Sequence, residues 1–241
     1  MSSQTRIKLE PGYILHHYPY RDTSLLLEVF TKDHGRLGLV ARGARGPANR
    51  QRPSLQSFRP LLVSWSSRGE LGTLTGCESN GPVITLEGTA LFSGFYLNEL
   101  LMRLLLRQDP HAGLFHCYEQ TLKGLGVEGG QRSLRLFEKK LLEELGYGLQ
   151  LEHDVQGHQP LVADGAYEFR LEHGPVAVPR SHSGALCFSG KSLISLQRGE
   201  LSDAESLRDA KRLMRAALNL YLGERPLKTR EVMRQVQLTG G

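Results

Sequence analysis

Over the first third of the chain, apolar and polar positions alternate with a period close to two, the spacing of half-buried strands. Gly12–Tyr18 (GYILHHY) reads as one strand and Ser24–Thr31 (SLLLEVFT) as the next. Lys32–Gly35 (KDHG) is a turn in which Gly35 can supply a positive φ, and Arg36–Ala41 (RLGLVA) returns as the second arm of a hairpin. The stretch Arg42–Ser54 (RGARGPANRQRPS) is too rich in Arg, Gly and Pro for a central strand. Phe58–Ser66 and Leu71–Cys77 then flank a short turn at Ser67–Gly69. Five short strands within 80 residues suit a small closed barrel. The pattern alone leaves both an OB-fold and an SH3-like barrel open.

After Pro82 the period becomes helical. Ala90–Leu106 is apolar nearly all round, which predicts the buried centre of a helical bundle. Leu114–Leu122, closed by Gly124, is a second helix, and Ser133–Leu145 a third, with Leu134, Phe137, Leu141, Leu142 and Leu145 on one face. Residues 151–189 are polar, with short β-like pieces at Tyr167–Leu171 and Ala185–Phe188. Ser202 and Glu205 have capping-box spacing before a helix over Asp203–Leu222, and a short helix near Thr229–Val236 ends the pattern. The expected class is α+β: an N-terminal five-stranded OB-fold β-barrel, then a helical domain carrying a small β-containing insert. The predicted bounds are 1–80 for the barrel, 81–150 and 190–241 for the helical domain, and 151–189 for the insert.

Charge sharpens this picture. Residues 1–80 carry 11 Lys/Arg against 6 Asp/Glu, whereas residues 81–241 carry 19 of each, so the whole formal surplus of +5 lies in the barrel region. Within residues 31–60, Lys32, Arg36, Arg42, Arg45, Arg50, Arg52 and Arg59 face one anion, Asp33. Segregated, Arg-rich charge of this kind is the footprint of a polyanion partner, against the plainer reading of a solvated basic loop. Tyr13, Tyr18, Tyr20, Phe30, Phe58 and Trp65 interleave with the cations. Single-strand-binding barrels pair a cationic groove with such rings as stacking platforms. Phe30 and Phe58 are expected in the core, while Tyr18, Tyr20 and Trp65 stay open between core and platform. Cys77, Cys117 and Cys187 are odd in number and far apart, which fits reduced thiols in a cytoplasm. No apolar run reaches the ~18 residues of a membrane span, and MSSQTRIKLEPG has no signal-peptide core.

Catalytic signatures are missing: no nucleophile elbow, no phosphate-binding loop and no metalloprotease helix motif occurs, so a non-enzyme without cofactor is expected. His153, His158, His173, His182 and Cys187 match no paired zinc-ligand spacing, which predicts no metal site and no stoichiometric zinc.

TSLLLEVFTKDHGRLGLVARGAR, LQSFRPLLV, LFSGFYLNELLMRLL, RLFEKKLLEELGYGL and YLGERPLKTR occur in that order between about residue 12 and residue 234. This collinear set resembles the RecO recombination-repair proteins of bacteria. The resemblance implies a cytoplasmic, nucleoid-associated DNA repair mediator that binds single- and double-stranded DNA and anneals complementary strands. It implies that such a protein works with RecR to load RecA onto strands coated by the single-strand-binding protein, SSB. It also implies a zinc site of two Cys-x-x-Cys-like pairs in many members, from which this chain departs: the first region reads LEHDVQGH and the second, GALCFSG, keeps only Cys187. An RNA-binding or ribosome-associated OB protein is the alternative that residues alone leave open.

SSB proteins end in an acidic tail closing with Pro-Phe and a free carboxylate. The helix Ser133–Leu145 offers Leu134, Phe137 and Leu141 as an apolar stripe, with Arg132, Arg135 and Lys139 at its edge. The resemblance makes Arg135 the expected carboxylate partner. Core packing with a solvated cationic edge is the competing reading of the same spacing.

Overall fold

A computed structural model of the chain describes residues 5–46, 55–126 and 130–239, with side chains to 236. In chain order, β1 (Thr5–Tyr20), β2 (Ser24–Thr31), β3 (Gly35–Ala41), β4 (Leu61–Ser67) and β5 (Leu71–Ser79) precede α1 (Gly88–Leu104), α2 (Ala112–Leu125) and α3 (Gly130–Glu144). Then come β6 (Ala166–Arg170), β7 (Gly174–Val178), β8 (Cys187–Ser189), α4 (Gly190–Arg198), α5 (Ala204–Leu222) and α6 (Lys228–Thr239). The chain divides into two compact units, one of residues 1–126 with 226–241 and one of residues 127–225.

In the first unit, β1 to β5 close into a barrel of order β1-β2-β3-β5-β4, with β3 and β5 parallel, the OB-fold arrangement. β1 makes the closure possible. Irregularities at Ile7/Glu10 and Ile14/His16 bend it, so that its first part pairs with β4 and its second with β2. The inward positions fill the barrel with Ile14, Leu27, Val29, Leu39, Leu61, Val63 and Trp65. Ala44, within the Arg-rich stretch, and Leu55, just after it, join this core. Outward-facing Tyr13 and its cross-strand partner Phe30 are also buried, against Phe115 and Tyr118 of α2.

The helix α1 is covered, but not as the centre of a bundle: it packs on β1 as well as on α2 and α6. A nearly all-round apolar helix shows that it is enclosed without saying whether a sheet or a helix encloses it. Asn98, buried on α1, donates from Nδ2 to the Leu15 carbonyl at the β1 bulge (2.8 Å) and accepts from the Tyr118 hydroxyl (2.6 Å). Burial pushes the Tyr118 hydroxyl well above its ordinary pKa, so it remains a neutral donor. Asn98→Ala removes one partner from each of two buried polar groups, of which Leu15 keeps the Ser57 hydroxyl. The expected loss is about 2–4 kcal/mol, read by urea unfolding.

In the second unit, α3 and α4 pack on α5, and a three-stranded sheet of order β7-β6-β8 joins them. The sequence pattern missed β7 and α4. α4 is only 9 residues long and opens on Gly190, so its apolar stripe is too short to declare a period. The cap of α5 also differs from the capping-box reading. Asp203, not Ser202, is the N-cap: its Oδ1 accepts from the Ser206 N–H (2.9 Å) while its Oδ2 accepts from the Ser206 hydroxyl (2.9 Å). These bonds hold the Asp203 carboxyl down at about 2, against an ordinary 3.8. A depressed carboxyl stabilises the fold above the unfolded value and loses that contribution as the pH falls through the folded one. The stability difference between the parent and Asp203→Asn should therefore be full above about pH 4 and shrink toward pH 2, followed by circular dichroism in urea.

The insert region is organised without thiolates at its first turn. The Asp154 carboxylate accepts from the backbone N–H groups of Gly157 (2.7 Å), Ala177 (3.2 Å) and Gln156 (3.3 Å). Its carboxyl is drawn below its ordinary value by these bonds, against the opposing and largest effect of desolvation. The residues here do not fit the two-pair zinc site that the resemblance implies: a hydrogen-bonded Asp stands in LEHDVQGH, and GALCFSG retains one Cys.

Candidate nucleic-acid interface

OB barrels take oligonucleotides on the outer face of β2 and β3, between the β1–β2 and β4–β5 loops. Here that face is divided along its length. At the Thr31 end it is closed by Phe30 beneath α2 and by the chain that follows α1. The Gln108 N–H donates to the Arg36 carbonyl (2.9 Å), and a Cβ on Gly35 would collide with the Asp109 backbone. Gly35 has φ +66°, so this turn position demands glycine on conformation and on space. Further along, a Cβ on Gly38 would collide with the Arg107 guanidinium, which lies over β3 and pairs with Glu28.

At the other end the face is open. Strand alternation puts Leu26 and Val40 outward, opposite Tyr18 in the β1–β2–β3 ladder. Tyr18 is 44% exposed and its ring meets that of His16 edge-on at 4.4 Å. Burial, and then the neighbouring His17, lower the His16 pKa, so at neutral pH its ring is an uncharged platform. Tyr20 continues the row, with the Arg21 guanidinium 5.2 Å above its ring. Arg42 and Arg45 leave the end of β3 at the same rim, where the Arg45 N–H donates to the Thr23 carbonyl (2.8 Å) in the β1–β2 turn. Both side chains are exposed. Exposed rings and aliphatic surface flanked by guanidinium groups provide stacking together with phosphate binding.

The cations singled out in the sequence are therefore not all gathered. Arg42 and Arg45 lie together; Arg50 and Arg52 fall outside the described residues. Lys32 sits in the β2–β3 turn, about 25 Å away by the length of an eight-residue strand. Arg59 precedes Leu61, which pairs with Gly12 and through it neighbours Thr31, so it lies toward the Lys32 end. Arg36 is corrected: its Nη1 donates to Glu28 (2.9 Å) and its Nε and Nη2 to the Leu105 carbonyl (3.2 and 3.1 Å), so its guanidinium is committed inside the fold. Trp65 and Phe58 belong to the interior, not to a platform. His16 and Arg21 were missed, although the spacing of His16, Tyr18 and Tyr20 on one strand face was available as a signal.

The helix read as an SSB-tail receptor has other contacts for most of the residues concerned. Leu134, Phe137 and Leu141 are buried core residues. The Arg135 side chain is 7% exposed and pairs at 3.1 Å with Glu138, itself 1% exposed. Arg132 donates to the Gly199 (3.0 Å) and Glu200 (2.9 Å) carbonyls, and Lys139 to the Gln197 carbonyl (2.8 Å). Arg132 and Lys139 thus bind carbonyls at and just beyond the C-terminal end of α4, a role that favours positive charge for the same electrostatic reason a carboxylate would.

Comparison with known proteins places the chain. The family described as "Recombination protein O N terminal" matches residues 5–82, the barrel, and "Recombination protein O C terminal" matches residues 86–231. The chain belongs to the RecO family. Among its relatives, the "DNA repair protein RecO" of Coxiella burnetii is 48% identical over 228 residues, covering 95% of this chain and 98% of that one. The proteins of the same description from Nitrosococcus oceani (45% over 236 residues; 98% and 96% covered) and Alkalilimnicola ehrlichii (47% over 240; 98% and 95%) are similar along their whole length. The RecO-family matches span both the barrel and the helical part.

Proposed function

We propose that this protein is a DNA repair and recombination mediator and not an enzyme: it binds single- and double-stranded DNA, anneals complementary strands and, with RecR, promotes loading of RecA onto SSB-coated single strands. The observation that carries the reading is the full-length similarity to proteins described as DNA repair protein RecO. The open barrel rim of His16, Tyr18, Tyr20, Arg21, Arg42 and Arg45 supports the DNA-binding part. Its chemistry is backbone binding plus stacking, which holds a strand without reading its sequence. Lys32, Arg59, Arg50 and Arg52 extend the interface as further phosphate ligands, while Arg36 acts only by holding Glu28 and the chain after α1.

Recognition of the SSB tail remains part of the proposal, but a receptor built on the α3 stripe would require that stripe to open. The deciding experiment is annealing of complementary oligonucleotides coated with SSB. Acceleration over the SSB-only reaction is expected, and abolition when SSB lacks its terminal Pro-Phe. Annealing of naked strands alone would remove SSB from the mechanism, and binding RNA as tightly as single-stranded DNA of equal length would favour an RNA-handling protein.

A further inference from the structure

The sheet of the second unit gathers three metal-ligating side chains from separate stretches of chain. β6 and β8 pair antiparallel with Glu168 opposite Cys187, so both side chains leave the same face. The loop between β7 and β8 folds over that face, held by the His182 N–H on the Pro179 carbonyl (2.8 Å) and the Cys187 N–H on the Gly184 carbonyl (3.3 Å). It brings His182 Nε2 to 3.5 Å from Glu168 Oε1, and these two atoms and Cys187 Sγ all lie within 4.8 Å of one another. At 3.5 Å the imidazole and carboxylate are too far apart for a good hydrogen bond.

The space between the three donors is kept open by a glycine. A Cβ on Gly184 would lie 3.2 Å from Cys187 Sγ, 3.7 Å from Glu168 Oε1 and 3.8 Å from His182 Nε2. The backbone of Gly184 is not left-handed, so nothing in its conformation calls for glycine. What glycine supplies here is room. Donors bound tetrahedrally at about 2.0–2.3 Å from an ion stand roughly 3.3–3.8 Å apart, so the Glu168–His182 separation is already one edge of such a site.

We infer that Glu168, His182 and Cys187 form a binding site for a divalent transition-metal ion of the zinc class. Thiolate with imidazole selects such ions over magnesium or calcium, and three protein donors leave the fourth position to water. The ion would tie the β7–β8 loop to β6. This donor set differs from the two cysteine pairs that the resemblance implies and shares only Cys187 with them. It replaces the expectation, drawn from His and Cys spacing alone, that the region holds no metal.

The test is titration of the metal-free full-length protein with Co²⁺. A thiolate-to-cobalt charge-transfer band with visible d–d absorption should saturate at one ion per chain, bleach on addition of Zn²⁺ and resist Mg²⁺. Cys187→Ser should abolish the charge-transfer band. Cys77 lies on β5 and Cys117 on α2, both in the first unit, and neither belongs to the cluster. Gly184→Ala keeps all three donors and should weaken cobalt binding by about tenfold or more, the scale of a disturbed metal surround. Circular dichroism melting of both variants guards against a trivial loss of fold. Absence of the band in the parent, its survival in Cys187→Ser, or unaltered affinity in folded Gly184→Ala would overturn the site.

Discussion

Glu28→Ala is expected to destabilise the barrel-containing unit by about 3–5 kcal/mol, the scale of breaking a buried ion pair by removing one partner. The Glu28 side chain is 8% exposed and accepts from two guanidinium groups, Arg36 and Arg107. Arg36 lies 14% exposed, so without Glu28 it retains a buried charge whose remaining partner is the Leu105 carbonyl. The same carboxylate holds the chain that follows α1 against β3, so its loss loosens the closed end of the barrel face too. Trp65 is the chain's one tryptophan and lies in the barrel core, so its fluorescence in urea follows this unit specifically. Replacing Glu28 and Arg36 together by Leu and Met should recover much of the loss, because the one guanidinium then left without its carboxylate, that of Arg107, is 36% exposed and can be solvated. A Glu28→Ala transition within about 1 kcal/mol of the parent would show the pair to be incidental.

The second large effect concerns DNA. Changing Arg42, Arg45, Arg50 and Arg52 together to Ala should weaken binding to single strands and duplex alike. It should lower the slope of log K against log salt by about 0.7–0.9 for each phosphate that is no longer neutralised, or roughly 3 if all four arginines touch phosphate. Arg36→Ala should leave that slope unchanged while costing stability, which separates a structural arginine from a binding one. Lys32 and Arg59, at the opposite end of the barrel, are expected to contribute smaller slope changes. Fluorescence anisotropy over a salt series measures all of these. A folded quadruple variant with the parent's slope would move the interface elsewhere, first to the exposed Lys211 and Arg215 of α5.

Elements with a local cause are legible in the amino-acid sequence alone. The period-two runs specify all five barrel strands, with β2 correct to the residue, because one face of each strand must bury its apolar side chains. Helical periods specify α1, α2, α3 and α5 to within a few residues at their ends. The collinear blocks specify the family. What each charged side chain is for depends instead on the tertiary fold. Arg36 and Arg42 look alike along the chain, but Arg36 has a partner in Glu28, and the carboxylate's second guanidinium comes from Arg107, 79 positions away from it. Arg132 and Lys139 beside the α3 stripe meet carbonyls at the end of α4 and just beyond it, 58 to 68 positions on, where sequence spacing offers no sign of them. Glu168 meets Cys187 through strand register and His182 through the fold of the β7–β8 loop, neither of which ligand-spacing rules for paired cysteines and histidines sample. A residue's charge and apolarity are intrinsic and can be read in sequence. Its partner, and hence whether its charge is free to bind, depends on which distant segment the fold brings within about 3 Å.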